Sequence, residues 1–123
     1  MTRSHILALA VTAAVANLAY AAPASLLPAS NPFAKESTLP FHYPAFDKIH
    51  DADYAPAFEE GMRQHAFEIE AIANNKAAPT FDNTIVAMEK SGRLLNRVST
   101  VFFNLVGCNT DDAMNALDKE LAP

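Results

Sequence analysis

Cysteine and glycine are scarce in this sequence, and their scarcity excludes two kinds of site. Cys108 is the only cysteine among the 123 residues, so no disulfide can form within the chain. Three glycines are present in total, too few for a glycine-rich loop that cradles a phosphate group. The thiol could pair with another chain, but a small apolar residue in a helix-ending turn is the simpler interpretation of Cys108.

Basic residues are also few. Lys and Arg number 9 against 14 Asp and Glu, which gives a formal net charge of -5 at pH 7. An acidic chain without a basic stripe is poorly suited to bind nucleic acid or an anionic membrane. We therefore expect no nucleic-acid partner and, once the leader described next has been removed, no membrane partner.

The first 21 residues have the pattern of a secretory signal peptide. A positive charge at Arg3 precedes an apolar run over residues 6–16, and small residues follow at Ala19 and Ala21. The run is too short to cross a bilayer core of about 30 Å as a helix. We predict a signal peptide over residues 1–21 that is cleaved after Ala21, and hence an exported protein, periplasmic or secreted. A retained membrane anchor is the alternative.

A proline-rich segment follows the leader. Proline at this density excludes a continuous helix and favours extended backbone before each proline. We predict a flexible lead-in over residues 22–30 and an ordered arm over residues 31–52, in which Phe41 and Tyr43 are suited to lie along another surface. The prolines of this segment are Pro23, Pro28, Pro32, Pro40 and Pro44.

Three amphipathic helices are predicted after the arm, over residues 53–74, 83–106 and 110–121. Asp53 and Asp82 are suitable N-caps for the first two. Apolar residues recur at helical spacing in each, which predicts an all-α fold. They are Phe58, Met62, His65, Ile69 and Ile72 in the first helix, Leu94, Leu95, Val98, Val101, Phe102 and Leu105 in the second, and Met114, Leu117 and Leu121 in the third.

Some residues fall outside this simple helical pattern. Gly61 adjoins the apolar stripe of the first helix and predicts a close approach of another helix. Phe67, Ile85 and Phe103 project away from the main apolar faces of their helices. Three short helices cannot cover them all, so we expect a partner or a continuation of the chain beyond Pro123.

A search for catalytic groups finds no complete site. His65 and Glu68 match the first and fourth positions of an H-x-x-E-H zinc motif, but Ile69 stands where the second histidine is needed. Catalytic zinc normally has three protein ligands, so a boundary histidine is the simpler interpretation. Arg93 and Arg97 could grip a carboxylate, although a solvated polar helix face explains them as well.

Two pairs of neighbouring carboxylates, Glu59–Glu60 and Asp111–Asp112, lie at predicted helix starts. The helix dipole favours acidic side chains there, which accounts for both pairs without a general acid or base. We therefore predict no catalytic, cofactor-binding or metal-binding residue in this chain.

A series of short blocks, in order and at matching spacing, carries a family resemblance. They are Asn31-Pro32-Phe33, Ser37-Thr38-Leu39-Pro40, Phe46-Asp47 with Ile49, Tyr54 with Pro56-Ala57-Phe58-Glu59-Glu60-Gly61-Met62, Phe81-Asp82-Asn83-Thr84-Ile85, Glu89-Lys90-Ser91-Gly92, Leu94-Leu95, Arg97-Val98 and Val101-Phe102-Phe103. Through them the chain resembles the N-terminal part of the peptidyl-dipeptidases, also called dipeptidyl carboxypeptidases. These enzymes form a group within the thimet-oligopeptidase-like family of zinc metallopeptidases.

The resemblance implies a mostly helical enzyme several times longer than this chain, with two lobes around a deep channel. It implies short peptides as substrates, from whose C-termini dipeptides are released. It also implies zinc held by a His-Glu-x-x-His helix and a downstream glutamate in a C-terminal catalytic region. Nothing here matches those positions, so no ligand is carried over. We expect the chain to be part of the N-terminal helical lobe, to bind no zinc and to be inactive without its catalytic region.

Two other functions fit the same sequence. A stand-alone periplasmic helical binding module, descended from the same ancestor, would use the surplus apolar residues to engage a partner. A small secreted helix bundle would explain the leader and the stripes but would leave the resemblance as an accident.

Overall fold

A computed structural model describes residues 24–122, and the predicted all-α class is confirmed for them: they contain helices and turns but no strand. The predicted signal peptide over residues 1–21, with its cleavage after Ala21, lies outside the described residues. Within them, no helix is long and apolar enough to cross a membrane. The α-helices are α1 (Tyr54–Ala73), α2 (Ala87–Lys90), α3 (Arg93–Cys108) and α4 (Asp112–Leu121).

Helices α1 and α3 form an antiparallel pair around an aromatic core. The ring centroids of Tyr54 and Phe102 lie 5.1 Å apart, and those of Phe58 and Phe102 lie 5.3 Å apart. Further along α1, a Cβ added to Gly61 would lie 2.9 Å from the Cα of Leu95. The close helix approach predicted at Gly61 is therefore confirmed, and it brings the two backbones together near the middle of α1.

The buried face of α1 differs from the predicted stripe. Met62 is 47% exposed and Ile69 is 38% exposed, whereas Ala57 and Gly61 are buried. The reason is that α3 packs against the small residues of α1, which allow the two backbones to come close. The spacing of large apolar residues does not reveal such a contact. On α3 the pattern succeeds, because Leu94, Val98, Val101 and Phe102 are buried as predicted.

The structure also differs from the single second helix predicted over residues 83–106. Phe81–Val86 form a π-helix that leads into α2, and the chain then turns at Ser91 and Gly92 before α3 begins. Gly92 has a φ of 68°, which an L side chain rarely adopts, so glycine permits this break. The N-cap is Thr80, whose hydroxyl accepts from the N–H of Asn83 at 3.1 Å, and not the predicted Asp82.

The segment before α1 is made of 3₁₀ turns at Pro40–His42, Phe46–Lys48 and Asp51–Asp53. Asp53, the predicted cap of the first helix, makes no side-chain cap bond to α1 and instead accepts from the N–H of His50 at 2.8 Å. The lead-in over residues 22–30 was predicted to be flexible. In the structure its Leu27 side chain belongs to the buried core.

Helix α4 closes one end of the α1–α3 pair. It begins at Asp112, and the carboxylate of Asp111 caps it by accepting from the N–H of Met114 at 2.8 Å. Met114 is buried, while Leu117 and Leu121 pack against the core as partly buried residues. The inner face predicted for the third helix is thus confirmed.

Candidate functional site

His65 and Glu68, the two residues that resemble part of a zinc motif, hold the turn between α2 and α3. The N–H of Gly92 donates to Oε2 of Glu68 at 2.6 Å. A Cβ added to Gly92 would lie 3.1 Å from Nδ1 of His65, so the imidazole packs directly on that glycine. Both side chains therefore have structural roles. Among residues 24–122, no three or more His, Cys, Asp and Glu side chains are grouped so as to hold a metal ion.

Glu60 is the one buried acidic residue of the described chain, and it anchors the N-terminal segment. Its carboxylate accepts from Nε and Nη2 of Arg63, both at 2.7 Å, and from Nε2 of Gln64 at 2.6 Å. It also accepts from the N–H of Leu26 at 3.2 Å, while Arg63 donates to the carbonyl of Ala24 at 3.3 Å. The dipole at a helix start, the reason predicted for Glu60, does not account for this network.

The same network sets the charge state of Glu60. The hydrogen bonds from Arg63 lower the pKa of Glu60 to about 2, against the opposing effect of burial. The bonds from Gln64 and from the N–H of Leu26 act in the same direction as those from Arg63. A carboxylate that is ionised near neutral pH and fully paired is suited to hold chain segments together and unsuited to exchange protons with a substrate at that pH.

The carboxyl groups of Asp51 and Asp111 lie close together. Partial desolvation and the neighbouring Asp111 raise the pKa of Asp51, and His50 opposes that rise. Asp111 is already committed to the N-cap of α4. The pair joins the last 3₁₀ turn to the start of α4, and it holds no third ligand that would make it a metal site.

Arg97 joins the arm to α3. Its Nη2 donates to the main-chain carbonyl of Phe33 at 2.8 Å, across 64 positions of sequence. Its Nε is buried and has no hydrogen-bond partner among the described residues. Burial lowers the pKa of Arg97, and Glu36 opposes that shift. The sequence suggested a solvated side chain at this position, and no local pattern indicated that Arg97 would bind a carbonyl of the arm.

Asn31 fixes the start of the arm, and it gives a physical reason for the first of the family blocks. Its Nδ2 donates to the carbonyl of Asp53 at 3.0 Å, and its Oδ1 accepts from the N–H of Phe33 at 2.9 Å. Phe33 is thereby placed 5.5 Å from the ring of Tyr54, in the core.

A cleft of about 480 Å³ lies between the arm and α3. Its walls carry charges of both signs, contributed by Lys35, Glu36, Asp47, Lys48 and Arg97. His42 lines it as well, but its Nδ1 lies 2.9 Å from the main-chain carbonyl of Ser37 and so pairs with backbone instead of activating a hydroxyl. The cleft has the size of a small-molecule pocket without a recognisable catalytic arrangement.

The outer part of the arm is an exposed aromatic segment, residues 39–46, which we call the arm loop. Phe41 is fully exposed at 101% and Tyr43 is 62% exposed, with Leu39 and Phe46 also exposed. Phe41 and His42 have positive φ angles of 57° and 55°. Left-handed backbone costs a non-glycine residue about 1–2 kcal/mol. The arm loop therefore keeps apolar rings in water at a conformational cost.

Comparison with known proteins gives the strongest indication of what this arrangement belongs to. The chain is 50% identical over 90 residues to the dipeptidyl carboxypeptidase of Salmonella typhimurium. The matched region covers 73% of this chain and 13% of that protein. It is 49% identical over 92 residues to the dipeptidyl carboxypeptidase of Escherichia coli. That matched region covers 75% of this chain and 14% of the relative. No protein-family model matches.

The helical fold and these matches together define a segment homologous to part of a peptidase. The relatives are both named dipeptidyl carboxypeptidase, which is the group predicted from the sequence blocks. The chain spans about one seventh of the length of these relatives, so the chemistry of the whole enzyme stays a proposal. The membership of the zinc metallopeptidase family likewise stays a prediction.

Proposed function

We propose that this chain is the N-terminal part of an exported zinc metallopeptidase that releases dipeptides from the C-termini of short peptides. The observation that supports the proposal is the identity of about 50% to two dipeptidyl carboxypeptidases over three quarters of the chain. In such a protein the described helices supply a scaffold, and the catalytic residues belong to the part of the polypeptide that this chain does not span.

Zinc belongs to the whole enzyme in this proposal. The described residues do not fit a zinc site, because His65 and Glu68 are engaged with Gly92 and no third ligand is grouped with them. The ligands are expected in the catalytic region, which would be the principal partner of this segment. Short peptides are the expected substrates.

Surplus apolar surface supports a larger assembly. Ile85 is 46% exposed and Phe103 is 50% exposed, as their positions away from the main helix faces predicted. Contiguous exposed apolar patches mark surfaces that other polypeptide covers, and these two residues would contribute to such a surface. A stand-alone helical binding module would use the same surface for a separate partner, and that is the second candidate function.

The coding frame and its complete product test the proposal. We expect the frame to continue beyond Pro123 and to encode a His-Glu-x-x-His motif. We expect the purified product to release dipeptides from an N-blocked tetrapeptide, to lose activity with a chelator and to regain it with zinc. N-terminal sequencing of the exported protein is expected to begin at Ala22.

The opposite result is equally clear. A frame that closes without the motif would overturn the enzyme proposal and favour the binding module. A mature protein that still begins at Met1 would overturn the signal cleavage alone.

A further inference from the structure

The arm loop is too apolar to be a finished surface. Leu39, Phe41, Tyr43 and Phe46 are all exposed, and Phe41 has no part of its side chain covered. Scattered exposed apolar residues are normal, but four within eight positions form a contiguous patch of sequence. Such patches usually mark a contact with another polypeptide.

The arm loop is held in shape by the chain itself, so the exposed rings are presented in a fixed arrangement. The N–H of His42 donates to the carbonyl of Leu39 at 2.9 Å, and the N–H of Tyr43 donates to that of Pro40 at 3.2 Å. The rings of Tyr43 and Phe46 meet edge to face at 5.6 Å. Phe41 and His42 have positive φ angles at this turn, and the side chain of Phe41 is wholly exposed there.

The exposed area of the patch indicates what kind of polypeptide can cover it. An aromatic side chain buries about 150–250 Å², so the four residues offer on the order of 500 Å², or about 1,000 Å² counting both sides of a contact. Stable association of separate chains typically buries about 1,200–2,000 Å². A contact within one polypeptide needs less area, because tethering removes most of the entropic cost of association.

The remainder of the same polypeptide is the occupant that these areas favour. The dipeptidyl carboxypeptidases to which this chain is similar are about seven times longer than the region that it matches. We propose that the arm loop is a docking element, and that the region which this chain does not span covers it and receives Phe41 in an apolar pocket. This inference rests on the proposed function, because it requires that longer polypeptide.

The test compares this chain with the complete gene product. Hydroxyl-radical footprinting measures the accessibility of residue 41 in both proteins. We expect rapid oxidation of Phe41 in the chain alone and a rate about tenfold lower in the complete product, since burial excludes the radical with the water. Equal oxidation rates in the two proteins would overturn the inference.

Two substitutions at the same position make the test specific. In the complete product, F41S is expected to raise the rate of chymotrypsin cleavage after Phe46 about tenfold, because cleavage follows the population of the undocked loop. F41L keeps an apolar side chain and is the matched control, expected to stay near the original rate. Neither substitution should change cleavage of the chain alone.

The outcomes separate this inference from the function on which it rests. Suppose that the complete product is an active peptidase, but Phe41 is oxidised rapidly and chymotrypsin cleaves the F41S variant at the original rate. That result would overturn the docking element and leave the proposed function standing. A coding frame without a further region would overturn both.

Discussion

Glu60 is the residue on which the N-terminal segment depends. Replacing it with glutamine removes the charge from four hydrogen bonds, so we expect E60Q to lower the free energy of unfolding by about 1–3 kcal/mol. The matched control is E59Q, since Glu59 is an exposed neighbour on the same helix turn and should change stability by less than about 0.5 kcal/mol. Urea denaturation followed by circular dichroism measures both. Equal losses in the two variants would contradict this role of Glu60.

The low pKa of Glu60 predicts how stability depends on pH. The folded chain holds this pKa at about 2, below the ordinary value of 4.5. A lowered folded pKa contributes stability above the ordinary value and loses that contribution as the pH falls towards the folded value. The stability advantage of the wild-type chain over E60Q should therefore be full at pH 6 and shrink between pH 4.5 and pH 2. Denaturation series at several pH values measure it, and a gap that is constant with pH would refute it.

Residue roles of this kind could be predicted only where the cause is local. The scarcity of ligands at His65 is visible in the sequence, because Ile69 occupies the place of the missing histidine. The burial of Glu60 is not visible, since the groups that pair with it include a main-chain N–H 34 positions away. Arg97 is similar, because its partner is a carbonyl of the arm and any residue type supplies one.

At the scale of elements, the contact of α1 with α3 depends on Gly61. A Cβ at this position would lie 2.9 Å from a backbone atom of α3, and backbone cannot move aside as a flexible side chain can. We expect G61A to lower the free energy of unfolding by about 1–3 kcal/mol. The control is G107A, because nothing lies within 4 Å of an added Cβ there and alanine favours the helix by about 0.5–1 kcal/mol.

Thermal unfolding of the two glycine variants tests this packing. The midpoint should fall for G61A and stay level or rise for G107A. A rise in both would mean that helix propensity outweighs packing at Gly61, and that α1 and α3 are not held at the distance described here.

Helix positions were predictable where apolar spacing is strong, and helix interruptions were not. The face of α3 follows its spacing from Leu94 to Phe102. The turn at Gly92 depends on a carboxylate of α1, so the residues around it do not reveal that the helix stops. The buried face of α1 differs from the predicted stripe for a similar reason. Gly61 and Ala57 let a neighbouring backbone come close, and small residues add little to an apolar pattern.

At the scale of the whole molecule, the proposed function predicts that this chain alone is inactive, because the proposal assigns the catalytic residues to a region that the chain does not span. We expect no release of dipeptide from an N-blocked tetrapeptide by this chain, with or without added zinc. Chromatographic detection of the products measures it, with the dipeptidyl carboxypeptidase of Escherichia coli as a positive control. Zinc-dependent release by the chain alone would contradict the assignment of the chemistry to another region.

Kinship was the part of the function that the sequence could reveal, and chemistry was the part that it could not. The block Asn31-Pro32-Phe33, one of those that carry the resemblance, has a structural role in this chain, because Asn31 bonds both Asp53 and Phe33. Blocks of this kind indicate common descent and a common scaffold. A reaction needs ligands and acid–base groups, whereas Glu60, Glu68 and Asp111 use their carboxylates to hold helices and the N-terminal segment.

The bonds from Glu60 and Arg63 to Leu26 and Ala24 have a consequence for the handling of the N-terminus. They hold residues 24–26 against helix α1, only a few positions beyond the predicted cleavage site. An aminopeptidase that trims the mature chain past Leu26 would remove one donor to Glu60 and one acceptor for Arg63. Helix α1 would keep a buried acid with fewer partners. Residues 24–26 are thus an integral part of the fold, and an affinity tag is better placed well ahead of Ala24 than at that position.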